Sequence, residues 1–157
     1  MAVYHQFLTV RRPAGQDFEP EAEGCFVVLE DGAVGPAAAD TKPEEVYGLL
    51  TDVAEEAGKA CHIALPGCSF IVGVRAAEDV TDGAPLALTE GGKVKPAEDG
   101  ATIVAVALAD GTSGKLVEAR LVQPYKAAGV SALSALAAGQ AVATENKTTT
   151  KTTTATK

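Results

Sequence analysis

At 157 residues, with 46% hydrophobic residues and a formal net charge of -8, the chain is long enough for one cored domain with appendages. Nine Lys and Arg against twenty Asp and Glu up to Tyr125 give a balance of -11, and this acidic body argues against a surface that tracks nucleic-acid phosphates. No run approaches the roughly eighteen apolar residues of a membrane span, and three cysteines without a CxxC, in a chain with no basic-then-apolar leader, suit a reducing cytoplasm.

Residues 2–12 are rich in β formers and hold two of the seven aromatics, Tyr4 and Phe7. They read as an extended arm or edge strand that finds a partner. Asp17, Glu19, Glu21 and Glu23 around Pro20 make an acidic loop. Strand signals follow at 26–30, then a Gly turn and a short strand ending in Pro36-Ala37. Lys42-Pro43-Glu44-Glu45 suits a single helical turn, since Pro fits the first helical position and the acids fit a helix start. The same neighbourhood, 46–50, is also apolar enough for a strand. Gly58-Lys59 makes a turn into Cys61-His62-Ile63-Ala64-Leu65, and Pro66-Gly67-Cys68 breaks the chain before a strand at 69–75.

The chain then repeats itself. Gly32-Ala33-Val34-Gly35-Pro36-Ala37 is answered by Gly92-Lys93-Val94-Lys95-Pro96-Ala97, and 46–50 by Ile103-Val104-Ala105-Val106-Ala107. Gly58-Lys59 with its strand is answered by Gly114-Lys115 before Val117-Glu118-Ala119-Arg120-Leu121. The strand over 46–50 follows from this match. Two units, about 24–65 and 83–121, therefore form an all-β domain of eight to ten short strands built from two related halves, a pattern that reports architecture rather than chemistry. The domain is expected over 20–125, with residues 1–19 as arm and acidic loop. Beyond it, 126–157 is an extension: 131–143 is Ala- and Leu-rich enough for a short helix, and from Thr144 the chain is Thr and Lys with little to bury and no order expected in isolation.

Chemistry-bearing groups are sparse. Cys61, His62 and Cys68 supply at most three metal ligands without the paired spacing of a structural zinc site. Alternation places Cys61 inward and His62 outward on one strand. Ser113 with either histidine gives a weak catalytic triad, because it falls in a turn that corresponds to Ala57. Gly91-Gly92-Lys93 and Gly111-Thr112-Ser113-Gly114-Lys115 lack phosphate-loop spacing and read as turns. The acidic stretch 78–83 lacks the alternating ligands of a calcium loop. No catalytic residue, metal or cofactor is expected, and the chain reads as no enzyme.

The second unit, with Ala84-Pro85-Leu86-Ala87-Leu88, Gly92-Lys93-Val94-Lys95-Pro96-Ala97, Ile103-Val104-Ala105-Val106-Ala107 and Gly114-Lys115-Leu116-Val117-Glu118, resembles the capsid cement, or head decoration, proteins of tailed bacteriophages. The order Asp82-Gly83 is reversed relative to that family's pattern, and its mid-strand glycine is kept only in the first copy, at Gly48. The resemblance spans roughly 20–123. It implies a small β-barrel or β-tulip domain on the outer surface of a virion, made in the host cytoplasm. Its implied partner is the major capsid protein at three-fold or quasi-three-fold positions, often as a homotrimer, with no reaction performed and no contact with nucleic acid or membrane. The surface expected to bind capsid or sister subunit is Tyr4, His5, Phe7, Leu8, Arg11 and Arg12. For the two arginines a second reading stands beside it, the snorkelling edge of their own domain. The other functional class left open is a virion or cell-surface module for a receptor or glycan.

Overall fold

The structure, a computed structural model, describes residues 9–67 and 71–128. Ten strands form two five-stranded antiparallel sheets, and only single 3-10 turns interrupt them among the described residues. The first sheet holds β1 (Thr9–Pro13), β2 (Phe26–Glu30), β3 (Ala33–Pro36), β4 (Val46–Asp52) and β5 (Ala60–Ala64) in the order β1-β5-β4-β2-β3. The second holds β6 (Ile71–Arg75), β7 (Pro85–Leu88), β8 (Val94–Pro96), β9 (Thr102–Ala107) and β10 (Leu116–Lys126) in the order β6-β10-β9-β7-β8. Raising each label of the first order by five produces the second. The protein is thus all-β with two related halves, and the two rival readings of 42–50 are both realised, as a 3-10 turn over Pro43–Glu45 followed directly by β4.

The repeat extends further than the sequence match. Thr9–Pro13, read as part of an arm or edge strand, pairs with β5 as an edge strand, and Ile71–Arg75, read as a strand joining the two units, pairs equivalently with β10. Each edge strand is followed by an alanine bridged to the far edge of its own sheet, Ala14 to Val34 and Ala76 to Val94. Each sheet must therefore curl until its two edges approach. One bridge is not a ladder, so neither sheet closes into a barrel. An aspartate follows in both halves and ties down the last hairpin: Asp17 Oδ1 accepts from Ala57 N at 2.8 Å, and Asp79 Oδ1 accepts from Ser113 N at 2.9 Å. Even the bulges match, with Tyr47 extra opposite Val27/Val28 and Val104 extra opposite Leu86/Ala87. Because the two tethers are equivalent, Asp17→Ala and Asp79→Ala should each cost about 1 kcal/mol, and the pair should add. Urea unfolding of the two single variants and the double tests this; a loss confined to one site would contradict it.

Alternation decides what each face buries. In the first half Val27, Leu50, Cys61 and Ile63 point into the curl and form a cluster with Ala14, Phe18 and Val34. The opposite face presents Phe26, Leu49 and Ala64, which are just as buried because the second half covers them. They join Val74, Leu86, Val104, Ala107, Val117 and Ala119 in one continuous cluster. The halves therefore stack head to tail, the outer face of the first against the interior of the second. Gly92 lies so close to the Phe26 backbone that a side chain would overlap it, and Arg75 N donates to Gly24 O at 2.7 Å. A buried side-chain bond across the joint runs from Thr102 Oγ1 to Thr41 O at 2.7 Å.

Candidate interaction surface

A head-to-tail pair leaves two ends, and both have been altered. At the outer face of the second half, the positions equivalent to buried Phe26, Leu49 and Ala64 are Pro85, Val106 and Arg120, as the pairings Phe26–Leu49–Ala64 and Pro85–Val106–Arg120 show. At the open mouth of the first half, the positions equivalent to Val74 and Val104, both 0% exposed, are Arg12 and Tyr47. Arg12 and Tyr47 at the mouth and Arg120 on the outer face put polar groups where the joint between the halves buries apolar ones, while Pro85 and Val106 leave the outer face partly apolar.

Of the residues expected to bind a partner, Tyr4, His5, Phe7 and Leu8 lie outside the described residues. Arg11 and Arg12 are neighbours on β1 and so point to opposite faces. Arg11 Nε donates to His62 Nε2 at 2.8 Å. That bond needs an unprotonated Nε2, which leaves the proton on Nδ1, 3.6 Å from Asp52 Oδ2. The Arg12 guanidinium sits 5.8 Å from the centroid of the Tyr47 ring, a cation–π distance, and its Nη1 reaches Arg11 O at 3.4 Å. Both arginines are exposed and both are engaged within their own domain.

The far end carries apolar surface that sequence reasoning missed. Ile71 is 51% exposed and Leu116 is 44% exposed, and the register places them with Val106, Leu108 and Arg120 on one outer face of the second sheet. The signal available was apolar residues at both parities: Ile71 with Val72 and Val74, and Leu116 with Val117. An alternating strand with one solvated face shows a single parity.

The chemistry-bearing groups take structural positions. Cys61 is fully buried beside Ile63 and Leu50, while His62 faces outward. Cys68 lies outside the described residues. Ser113 Oγ donates to Ala77 O at 2.7 Å, and its amide is the one capped by Asp79. In the 78–83 loop Asp82 N donates to Asp110 Oδ1 at 2.9 Å. Gly91 and Gly92 have φ of 71° and 73°, as a tight turn requires.

Cys25 is buried where the acidic loop, β2 and the turn before Lys93 meet. Burial raises its pKa above the ordinary 9.0, with the charges of Arg75 and Lys93 pulling the other way. The folded state therefore holds this proton more tightly than the unfolded chain. The associated stability is intact below the unfolded value and is lost as pH rises through the folded one. Native Cys25 should react with a thiol reagent at pH 8 at least about tenfold more slowly than in denaturant. Equal rates, read by mass spectrometry of the labelled peptide, would contradict this burial.

No family model matches the chain, and no curated protein matches it. Among solved structures, the N base of the head fiber gp8.5 of bacteriophage phi29 superimposes with a TM-score of 0.56 at 17% identity, over 78% of this chain and 99% of that one. At this identity the likeness is one of fold.

Proposed function

We propose that this chain is a structural component of a phage virion that binds the outer surface of the capsid and stabilises the head across joints between capsid subunits. The observation that carries this reading is the fold it shares with nearly the whole length of a phage head fiber base. The resemblance of residues 20–123 to capsid cement proteins rests on turn and strand motifs and points the same way.

The capped stack suggests how such a protein works. One end presents Arg11, Arg12 and the strand edge of β1; the other presents Ile71 and Leu108 beside Glu118 and Arg120, with half-exposed Leu116 reaching back to Gly24 of the first half. Docking the apolar end on the major capsid protein, singly or as a trimer about a three-fold position, removes apolar area from water at about 25 cal/mol per Å². Charged residues at its margin set register and specificity. A joint bridged this way must strip that contact before it slides, and many copies multiply a modest contribution per site. The acidic body keeps the protein off packaged DNA. In this reading it performs no reaction and requires no cofactor.

The test is cosedimentation of the purified protein with expanded, undecorated heads, followed by rupture under heat or chelator. Saturable binding at a fixed copy number per capsomer, with later rupture, is the expected result. Absence of binding to any cognate shell would overturn the proposal, and adhesion to cells or glycans in its place would make it a receptor-binding module.

A further inference from the structure

The joint between the halves is a template for adding a further unit, and both free ends depart from it. At the joint the carbonyl of buried Gly24 accepts from Arg75 N at 2.7 Å, and Phe26, Leu49 and Ala64 of the first half share one cluster with Val74 and Val104 of the second. The Gly24 position is crowded as well as bonded, since a Cβ there would run into Leu116 Cδ2 and Gly73 O. Gly83 is its equivalent in the second half: Gly24 N donates to Leu50 O as Gly83 N donates to Ala107 O. Gly83 is exposed, and among the described residues nothing lies within 4 Å of a Cβ built on it. Its carbonyl is where a neighbour stacked by the same step would have to place a bond.

The mouth of the first half cannot make that bond. Pro13 lies opposite Ala60 as Arg75 lies opposite Leu116, so proline stands at the one position whose N–H crosses the joint, and proline has none. The groups that would seal the contact are changed too. Arg12 and Tyr47 stand for Val74 and Val104 at the mouth, and Arg120 stands for Ala64 on the outer face. Ala64 and Val74 belong to the same buried cluster, so a second copy seated on the outer face would carry its Arg12 into the layer that already holds Arg120. Two like charges stripped of water in one layer oppose binding strongly. In the free chain Arg12 rests instead on Tyr47, 5.8 Å from the ring centroid.

We propose that Arg12, Pro13, Tyr47 and Arg120 form a stop that bars a second copy of this chain from adding head to tail, and so holds the stack at two units. A head-to-tail contact is heterologous, and once allowed it repeats into a fibre or a ring. The internal joint shows that this fold makes such a contact well, since it buries Phe26, Leu49 and Val104 to within 1% of full cover. A chain that carries a working joint inside it therefore needs its ends spoiled. Proline at an edge strand and charge at a core position are two independent ways of spoiling them, and the mouth has both. The stop acts on this contact alone and leaves lateral or two-fold association open.

Two variants of the full chain open one end each. Arg12→Val with Pro13→Arg and Tyr47→Val gives the mouth the residues of the second half, and Arg120→Ala gives the outer face the residue of the first. In sedimentation velocity each variant alone should keep the mass of the unaltered protein, because each still has one closed end. Mixed, they should form a complex of about twice that mass that grows no further with concentration. All four substitutions in one chain should give species that pass that size as concentration rises. Arg12, Pro13 and Arg120 are exposed, whereas Tyr47 is half-buried. If thermal unfolding shows the triple variant already melted, Arg12→Val with Pro13→Arg takes its place, with the same pairing expected. Folded variants that stay apart when mixed would overturn the proposal, and so would open-ended growth of the unaltered protein.

Discussion

Gly92→Ala should destabilise the protein by about 3 kcal/mol or more, and Gly91→Ala, one residue away, by only about 1–2 kcal/mol. Both glycines sit in the left-handed region, at φ 73° and 71°, so both substitutions carry the same backbone penalty. They differ in what surrounds them. Nothing lies within 4 Å of a Cβ built on Gly91, whereas one built on Gly92 overlaps the carbonyl of Phe26 and comes within 2.9 Å of its N and C atoms. Those atoms are backbone at the start of β2 and cannot rotate away, so the halves must separate or the turn must reshape. Chemical unfolding of the two variants gives the comparison directly. Equal losses would mean that the turn between β7 and β8 does not press on the first half as described.

The same glycine shows why part of this fold was legible and part was not. Gly32 and Gly92 align in the sequence, and that match, with Pro36–Pro96 and Gly58–Gly114, located both units because turn glycines and strand apolar residues are local demands of each half. What Gly92 packs on is not local. Which face of a half is covered depends on its neighbour, and the substitutions that cap the ends erase the pattern that would have revealed it. The equivalence of β1 to β6 was hidden for this reason, although an edge strand was expected there: Arg11 and Arg12 stand where the second half has Gly73 and Val74, so the strand carries polar residues at a core position. The alternation of Cys61 and His62 was readable because it needs only the period of one strand. The outward Ile71, Leu108 and Leu116 were not, because strands with apolar residues at both parities look alike whether a second layer covers them or solvent does. Of the surface expected from the sequence, the described Arg11 and Arg12 lie on β1 of the first sheet, whereas Ile71 and Leu108 belong to the second.

Ala64→Arg should cost about 4 kcal/mol or more, while Arg120→Ala, at the equivalent position of the other half, should change stability by no more than about 0.5 kcal/mol. Ala64 is 0% exposed and shares a cluster with Phe26, Leu49 and Val74, so an arginine there must place an unpaired charge and a long side chain between the two sheets. Arg120 occupies the same sheet position, opposite Val106 as Ala64 is opposite Leu49, yet among the described residues no third layer covers it and it is exposed. The repeat makes the two substitutions exact exchanges of each other's residue, so propensity and strand position cancel and only the covering half remains. Thermal unfolding should show Ala64→Arg melting far below the parent, with the thiol of Cys25, close to the joint, reacting faster at temperatures below the main transition. Cys61, inside the first curl, should stay protected until that curl itself opens. Near-equal effects at 64 and 120 would sink the head-to-tail arrangement, since only a neighbour packed on one face and missing from the other separates them.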